Sequence, residues 1–409
     1  MADVLHPPAS GESAVEFDPL SPTFFDDPYP TYQRLRDEAP VYHNEEYGFY
    51  ALSRHDDVLA AHRDWQTFSS THGLTLDQLC SRTSAVQESM IMQDPPEHER
   101  MRKLVSRVFA PKAIEALEPD ARELMRSLLD ELPDPRNFDV VADFSGPFPV
   151  EVISMMLGVP KESRQQVRHW TDLMLSREDG KAEAPPESVQ AGFDMGVRFW
   201  EIVQEKRRNP DGLMISRLCD VEVVRDDDGT MTRLTDAEIA GFATLMAAAG
   251  SETVTKLVGS GIVQFARNPD QWQKVVDDPS LVPGAVEETL RIAPPSQYQG
   301  RFSHRESTWH GETIPANEPV LLLTGAATHD PRAFDDPDAF DIQREQRMSV
   351  GFGHGIHLCI GAFLARMESR VAFEELSRRY PRFEIDEEGL QRVHMSNVAG
   401  YSNVPFSAA

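Results

Sequence analysis

Cys359 lies in the run Phe352-Gly353-His354-Gly355-Ile356-His357-Leu358-Cys359-Ile360-Gly361, and the helix-forming stretch Ala362-Phe363-Leu364-Ala365-Arg366-Met367-Glu368 follows at once. A thiolate ahead of a helix N-terminus is favoured by the free backbone N–H groups and by the positive end of the helix dipole. Glycines on both sides let a flat, bulky cofactor approach the backbone closely. That is the environment an axial thiolate ligand to such a cofactor's metal requires. A lone cysteine in a Gly-rich segment is ordinarily a free surface thiol. A zinc site built on His354, His357 and Cys359 has suitable ligand types, but no fourth ligand is near and the spacing matches no common zinc motif.

Three further groupings have residue types suited to chemistry. Thr235-Asp236-Ala237-Glu238 is a capping box that opens a long helix, and within that helix lies Ala248-Ala249-Gly250-Ser251-Glu252-Thr253. Small residues in mid-helix, including a costly Gly, leave room for something to press on the backbone. An acid followed by a hydroxyl there could relay protons; the plainer reading is an Ala-rich helix packed on a neighbour. Glu288 and Arg291 share a helix face at i, i+3, a pairing that is common by chance and worth little on a surface. His98 and Arg102, four apart on a helix expected from Glu97 to Phe109, also face one way.

The pattern Phe-Gly-x-Gly-x-His-x-Cys-x-Gly, met at Phe352, Gly353, Gly355, His357, Cys359 and Gly361, resembles the haem-binding loop of the cytochrome P450 family. The resemblance runs over residues 20 to 407, with further motifs in the family's order. It implies that Cys359 ligates the iron of haem b (heme b, iron protoporphyrin IX), with Phe352, Gly353, Gly361 and Ala249 against the cofactor. It implies that His98, Arg102, Arg301 and His357 bind the propionates, since charge-assisted hydrogen bonds offset the cost of burying carboxylates. Ala-Gly-x-Glu-Thr resembles the oxygen-activating segment, which gives Thr253 a hydrogen bond to dioxygen and Glu252 a part in proton delivery. Glu288, Arg291 and Arg344 resemble the Glu–Arg–Arg triad that braces the cysteine loop. Ala327-Thr328-His329-Asp330-Pro331 departs mildly from the family's Ala-Asn-Arg-Asp-Pro.

The implied fold is mainly α with small β-sheets, the cytochrome P450 fold, with a long central helix over buried haem. The implied activity is insertion of one atom of dioxygen into a lipophilic small molecule by hydroxylation or epoxidation, using two externally supplied electrons. A peroxide-driven peroxygenase and a non-catalytic haem gas sensor are the alternatives, and the intact Glu252–Thr253 pair weighs against both. A haem-free helical binding protein would leave the cysteine loop without a purpose.

Composition narrows this further. The chain has 409 residues, 3 cysteines and a formal net charge of −27. So few cysteines fit a reducing compartment and exclude a chain-borne iron–sulfur cluster. The negative charge is poorly suited to nucleic acid and to anionic membranes. No leader-like or membrane-spanning run opens the chain, so a cytoplasmic protein without a membrane anchor is expected. No flavin or dinucleotide fingerprint is present, which leaves a ferredoxin and a ferredoxin reductase as expected electron donors. Arg100, Lys103 and Arg107, on the far face of the His98 helix, and Arg366 form a candidate docking face for the acidic carrier.

Residues 1–20 read as a mobile arm and 21–409 as one domain. Paired strands are expected over Val41–His43 and Phe49–Ser53, a strand over Val320–Leu323, a helix over Pro283–Arg291, and another from the recurrence of Val189, Phe193 and Val197. Thr71–Asp94 reads as a long irregular loop, which in a compact domain is usually functional. Substrate contacts are expected from Leu79, Met90, Met246, Ser296, Gln297, Tyr298 and Val398. The polar run Ser296–Gln299 points to a substrate with a hydroxyl, keto or carboxyl group.

Overall fold

The computed structural model describes residues 15–82, 89–106, 108–181, 183–224, 231–345 and 349–409. The turn at 226–229, Arg107 and residues 1–14 of the expected arm lie outside that set. Where the arm was expected to reach residue 20, Phe17 and Leu20 are instead core residues, and the Phe17 ring packs on Phe24, Tyr42 and Phe49.

Helices dominate, and the axis of the molecule is the helix Asp236–Arg267. Its capping box forms as the sequence requires: the Thr235 hydroxyl accepts from the Glu238 amide, and the Glu238 carboxylate accepts from the Thr235 amide. Around it pack the helices Pro147–Leu157, Lys161–Leu175, Pro186–Arg208 and Ala362–Arg379. Close approach depends on small residues. A Cβ on Gly261 would sit 2.4 Å from the Phe373 ring, and one on Gly250 would sit 3.2 Å from Ile153. Gly250 therefore serves helix packing as much as it opens space for a cofactor.

The Val189–Phe193–Val197 recurrence does mark a helix, Pro186–Arg208, but this stripe faces solvent at 64%, 67% and 42% exposure. The buried side is Ala191, Met195, Phe199, Ile202 and Val203. Two apolar stripes compete on this helix, and packing against the central helix chose the second.

The main sheet has five strands in the order Val41–Asn44, Phe49–Leu52, Pro319–Leu322, Gln299–Ser303 and Phe68–Ser69. The first pair is the expected antiparallel hairpin. Pro319–Leu322, buried throughout, runs parallel to one neighbour and antiparallel to the other, and it sets Val320 opposite Arg301. The expected loop over 71–94 contains a capped helical turn, Leu76–Cys80, and a 3-10 turn at Met90–Met92. The helix begun at Glu97 ends at Val105, short of the expected Phe109.

Candidate active site

The Cys359 loop is fixed by its own backbone. The Cys359 amide donates to the Phe352 carbonyl at 2.9 Å, and the Gly353 amide donates to Val350 at 2.8 Å. Gly353 and Gly355 take φ values of +65° and +69°, which L side chains rarely adopt. Gly355 has a second constraint, because a Cβ there would lie 2.2 Å from the His62 carbonyl. Arg366, one turn into the following helix, lies over the Phe352 ring at 4.6 Å and pairs with Glu287.

Behind this loop stands the buried triad. Glu288 accepts from Arg291 at 2.7 and 2.8 Å and from Arg344 at 3.1 Å. Both arginines donate onward to the Ala339 carbonyl at 2.9 Å, and Arg291 also donates to Thr328 and Pro337. The triad thus ties a helix to the meandering chain that leads into the cysteine loop. His329, at the departure from the family motif, hydrogen-bonds Asp338 at 2.8 Å and the Ile292 carbonyl at 3.0 Å. The substituted residue has its own partners.

One cavity gathers most of the chemistry. Its wall includes Cys359, Phe352, Gly353, Gly361, His357, His98, Arg102, Arg301, Ala249 and Thr253. Cys359 is the one cysteine on that wall, and its side chain is open to the cavity. Burial pushes its thiol up from the usual range, while the Gly361 amide, Arg102 and Arg366 pull it down. Thr253 presents its hydroxyl from the central helix while donating to the Ala249 carbonyl at 2.8 Å.

Most ring nitrogens of the imidazoles on this wall have no hydrogen-bond partner among the described residues. Neither ring nitrogen of His98 or His62, nor Nε2 of His357, has a hydrogen-bond partner among the described residues. Burial, then Arg102, depresses His98 to about 4; burial, then Arg301, depresses His62 to about 3. Arg301 is 4% exposed, is lowered to about 10 by burial, and donates to a carbonyl but, among the described residues, to no carboxylate. A buried polar cluster without acids is costly unless anionic groups enter the cavity to meet it. An accessible thiol, apolar walls and this cluster fit a flat, metal-bearing cofactor with acidic side arms. His62 was missed because nothing in the sequence links position 62 to position 355; only the packing of its helix on the loop brings it in.

Other expectations are corrected. Glu252 does not line the cavity; it is 5% exposed and pairs with Lys256 at 2.6 Å, while burial and then the Glu252 charge push Asp172, on a neighbouring helix, up to about 6. Met90, Met246 and Ser296 line the cavity, but Leu79, Gln297, Tyr298 and Val398 do not. Gln297 is occupied by the Tyr32 hydroxyl at 3.1 Å and the Pro294 carbonyl at 2.7 Å. Tyr298 donates to the Ser396 carbonyl at 3.0 Å, while Leu79 and Val398 are packed in apolar clusters. Strand alternation turns Gln299 and Arg301 toward the cavity in their place, and Asn397 joins them. On the expected docking face, Arg100 is paired with Glu238 and Arg366 with Glu287. Among the described residues no set of three His, Cys, Asp or Glu is arranged to hold a metal, which removes the zinc reading there.

Residues 190–399 match the family model described as Cytochrome P450. The chain belongs to the cytochrome P450 family. It is 44% identical over 400 residues to cytochrome P450 123 of Mycobacterium tuberculosis, covering 97% of this chain and 98% of that one. It is 36% identical over 371 residues to the vitamin D(3) 25-hydroxylase of Pseudonocardia autotrophica, covering 88% of each. The crystal structure of CYP109E1 from Bacillus megaterium in complex with testosterone superposes with a TM-score of 0.84 at 31% identity, covering 93% of this chain and 98% of that one. This P450 is a monooxygenase, an oxidoreductase whose family cofactor is haem b bound through a cysteine thiolate. Among the described residues no helix is long and apolar enough to cross a membrane.

Proposed function

We propose that Cys359 is the axial ligand of the haem iron, and that His98, Arg102, Arg301 and His357, joined by His62, hold its propionates. The observation that carries this is one cavity wall that combines an open thiol with five basic side chains, none of which pairs with a carboxylate among the described residues. The bound haem supplies the activation of dioxygen. The chain supplies proximal donor, propionate partners, distal hydroxyl and an apolar chamber. Thr253 already donates to its own helix turn, so its lone pairs face the cavity and can take a hydrogen bond from water there. Protons reach it from the Glu252–Asp172–Lys256 cluster, which lies one residue along the helix and off the cavity wall.

The substrate in this proposal is lipophilic and sterol-like. Leu74, Met90, Ile91, Leu245 and Met246 give an apolar wall, and Ser296, Gln299 and Asn397 form one polar corner. Gln299 donates to the Ser296 hydroxyl at 2.8 Å, so the corner is preformed and suits a single hydroxyl or keto group. The two relatives associated with a vitamin D and a steroid support this class. Electrons come from a ferredoxin and its reductase, docking where Lys103 and the exposed Leu358 and Phe363 flank the cysteine loop.

The test is the absorption spectrum of the dithionite-reduced, carbon monoxide-bound protein, for wild type and Cys359→His, followed by titration with testosterone and vitamin D3. A strongly red-shifted Soret band lost in the variant establishes the ligand, and a spin-state shift on titration establishes the substrate class. A band of the imidazole-ligated type in wild type removes Cys359 from its role. Absence of any shift with either steroid removes the sterol reading alone.

A further inference from the structure

His329 is buried, as His62 and His98 are, but its surroundings are the reverse of theirs. Both of its ring nitrogens face oxygen acceptors. Nδ1 lies 2.8 Å from Oδ1 of Asp338, and Nε2 lies 3.0 Å from the Ile292 carbonyl. A neutral imidazole has one N–H, so it donates to one of these oxygens and turns a lone pair on the other. Asp338 does not resolve the conflict by holding a proton. Its side chain is 81% exposed, and the hydrogen bond from His329 keeps its carboxyl below the usual range. A backbone carbonyl can only accept. An imidazolium, with an N–H on each nitrogen, satisfies both oxygens at once.

The setting favours that cation. Ile292 ends the helix Val282–Ile292, so its carbonyl lacks an intrahelical partner and stands at the negative end of the helix dipole. Asp338 supplies the counter-charge that a buried cation needs. From the helix Tyr29–Glu38, the Tyr29 ring packs on His329 at 4.4 Å, and its hydroxyl donates to the same Ile292 carbonyl at 2.9 Å. Burial pushes that hydroxyl up to about 12, so it stays neutral. The other charges nearby are already engaged: Arg291 by Glu288, Asp330 by Arg332, and Arg36 by the Ala326 carbonyl. Asp338 itself lies between Pro337 and Ala339, whose carbonyls accept from Arg291, and in the case of Ala339 from Arg344 as well.

We propose that His329 is held as an imidazolium, a two-pronged clasp that replaces the arginine of the family motif and fastens the end of the Glu288–Arg291 helix to the stretch both triad arginines grip. An arginine keeps its charge at any working pH; a histidine can release it. When His329 does so, one N–H bond breaks, the proton leaves to solvent, no electrons move, and one of the two hydrogen bonds is lost. The folded chain thus holds a proton that the unfolded chain gives up more readily. The stability that the clasp contributes is therefore present at low pH and lost as pH rises.

The test uses the holoenzyme. Ring-nitrogen NMR spectra of 15N-histidine protein are compared for wild type, His329→Gln and Asp338→Asn. Thermal unfolding of wild type and His329→Arg is followed from about pH 5 to about pH 8. We expect a histidine with both ring nitrogens protonated at about pH 7, where a free imidazole is mostly neutral, and its signals should be missing from His329→Gln. Asp338→Asn should make the same ring lose its proton at lower pH. The melting temperature of His329→Arg should gain on that of wild type by on the order of 1 °C or more as pH rises. The proposal is overturned if the His329 signals show a bare ring nitrogen at neutral pH, or if Asp338→Asn leaves them unchanged. It is also overturned if the melting difference between wild type and His329→Arg stays constant over the range. Should His329→Gln fail to fold, the signals missing from His329→Arg assign the ring in its place.

Discussion

Arg301 and His98 show how far a single side chain can be read. Each carries polarity into a wall where no carboxylate among the described residues pairs with it, so each gains most from an anionic cofactor arm. A hydrogen bond to a charged group is worth about 1.5–3 kcal/mol. Arg301→Met should therefore speed haem loss to an acceptor globin by about tenfold or more, with an unchanged Soret maximum. A loss rate equal to wild type would detach Arg301 from the cofactor. Thr253→Ala should leave haem content and the carbon monoxide spectrum intact while product per reducing equivalent falls several-fold and hydrogen peroxide rises. If coupling survives that change, the hydroxyl is a helix ornament hydrogen-bonded only to Ala249.

At the scale of elements, the Glu288 triad and the Asp172–Glu252 contact are opposite electrostatic cases. Glu288 is 1% exposed and shared by two arginines. Removing one partner of a buried pair costs about 3–5 kcal/mol, because the remaining charge stays buried. Glu288→Ala should lower the unfolding temperature sharply and shed haem; a loss as small as that of an exposed pair would mean the triad braces nothing. Asp172 is a strained acid, raised from 3.8 to about 6 by burial first and by Glu252 second. Between those values the folded protein binds the extra proton, so the stability it contributes is present at low pH and lost as pH rises through about 6. Asp172→Asn should raise the melting temperature by on the order of 1–2 °C above neutral pH. Below pH about 4, where both folded and unfolded wild type carry the proton, the gain should vanish. The stripe Val189–Phe193–Val197 makes a third test. Being exposed, Phe193→Ser should change stability by about 0.5 kcal/mol or less, whereas a core phenylalanine would cost several times that.

For the whole molecule, the net charge of −27 would govern encounters with the acidic electron carrier proposed above. With Arg100 and Arg366 already paired to acids, local attraction rests on few groups. Raising ionic strength from about 0.01 to about 0.15 M shortens the Debye length from about 30 to about 8 Å. That screens distant repulsion while leaving contacts at the docking face. The rate of reduction by ferredoxin should rise over this range. A rate that only falls would show that attraction at the face outweighs the field of the molecule.

The sequence by itself determined the family, the backbone form of the cysteine loop and the order of the motifs. These are local: Gly353 and Gly355 must take positive φ, Cys359 must precede a helix, and the Thr235 capping box closes on its own neighbours. The same locality explains why the strand expected over Val320–Leu323 is found, one residue earlier, at Pro319–Leu322. Only the tertiary structure decided which of several plausible side chains reach the cavity. Strand alternation turned Gln299 and Arg301 inward and left Gln297 and Tyr298 tied to distant backbone. A helix with two apolar stripes buried the one facing the central helix. Glu252 went to Lys256 and Asp172, residues one turn and eighty positions away. His62 gave no signal in the sequence, since a lone histidine gains meaning only from the partners that packing supplies or withholds. Hydrogen bonding and backbone sterics act over a few residues and can be read from the chain. Burial and charge compensation act across it, and they are settled when the helices pack.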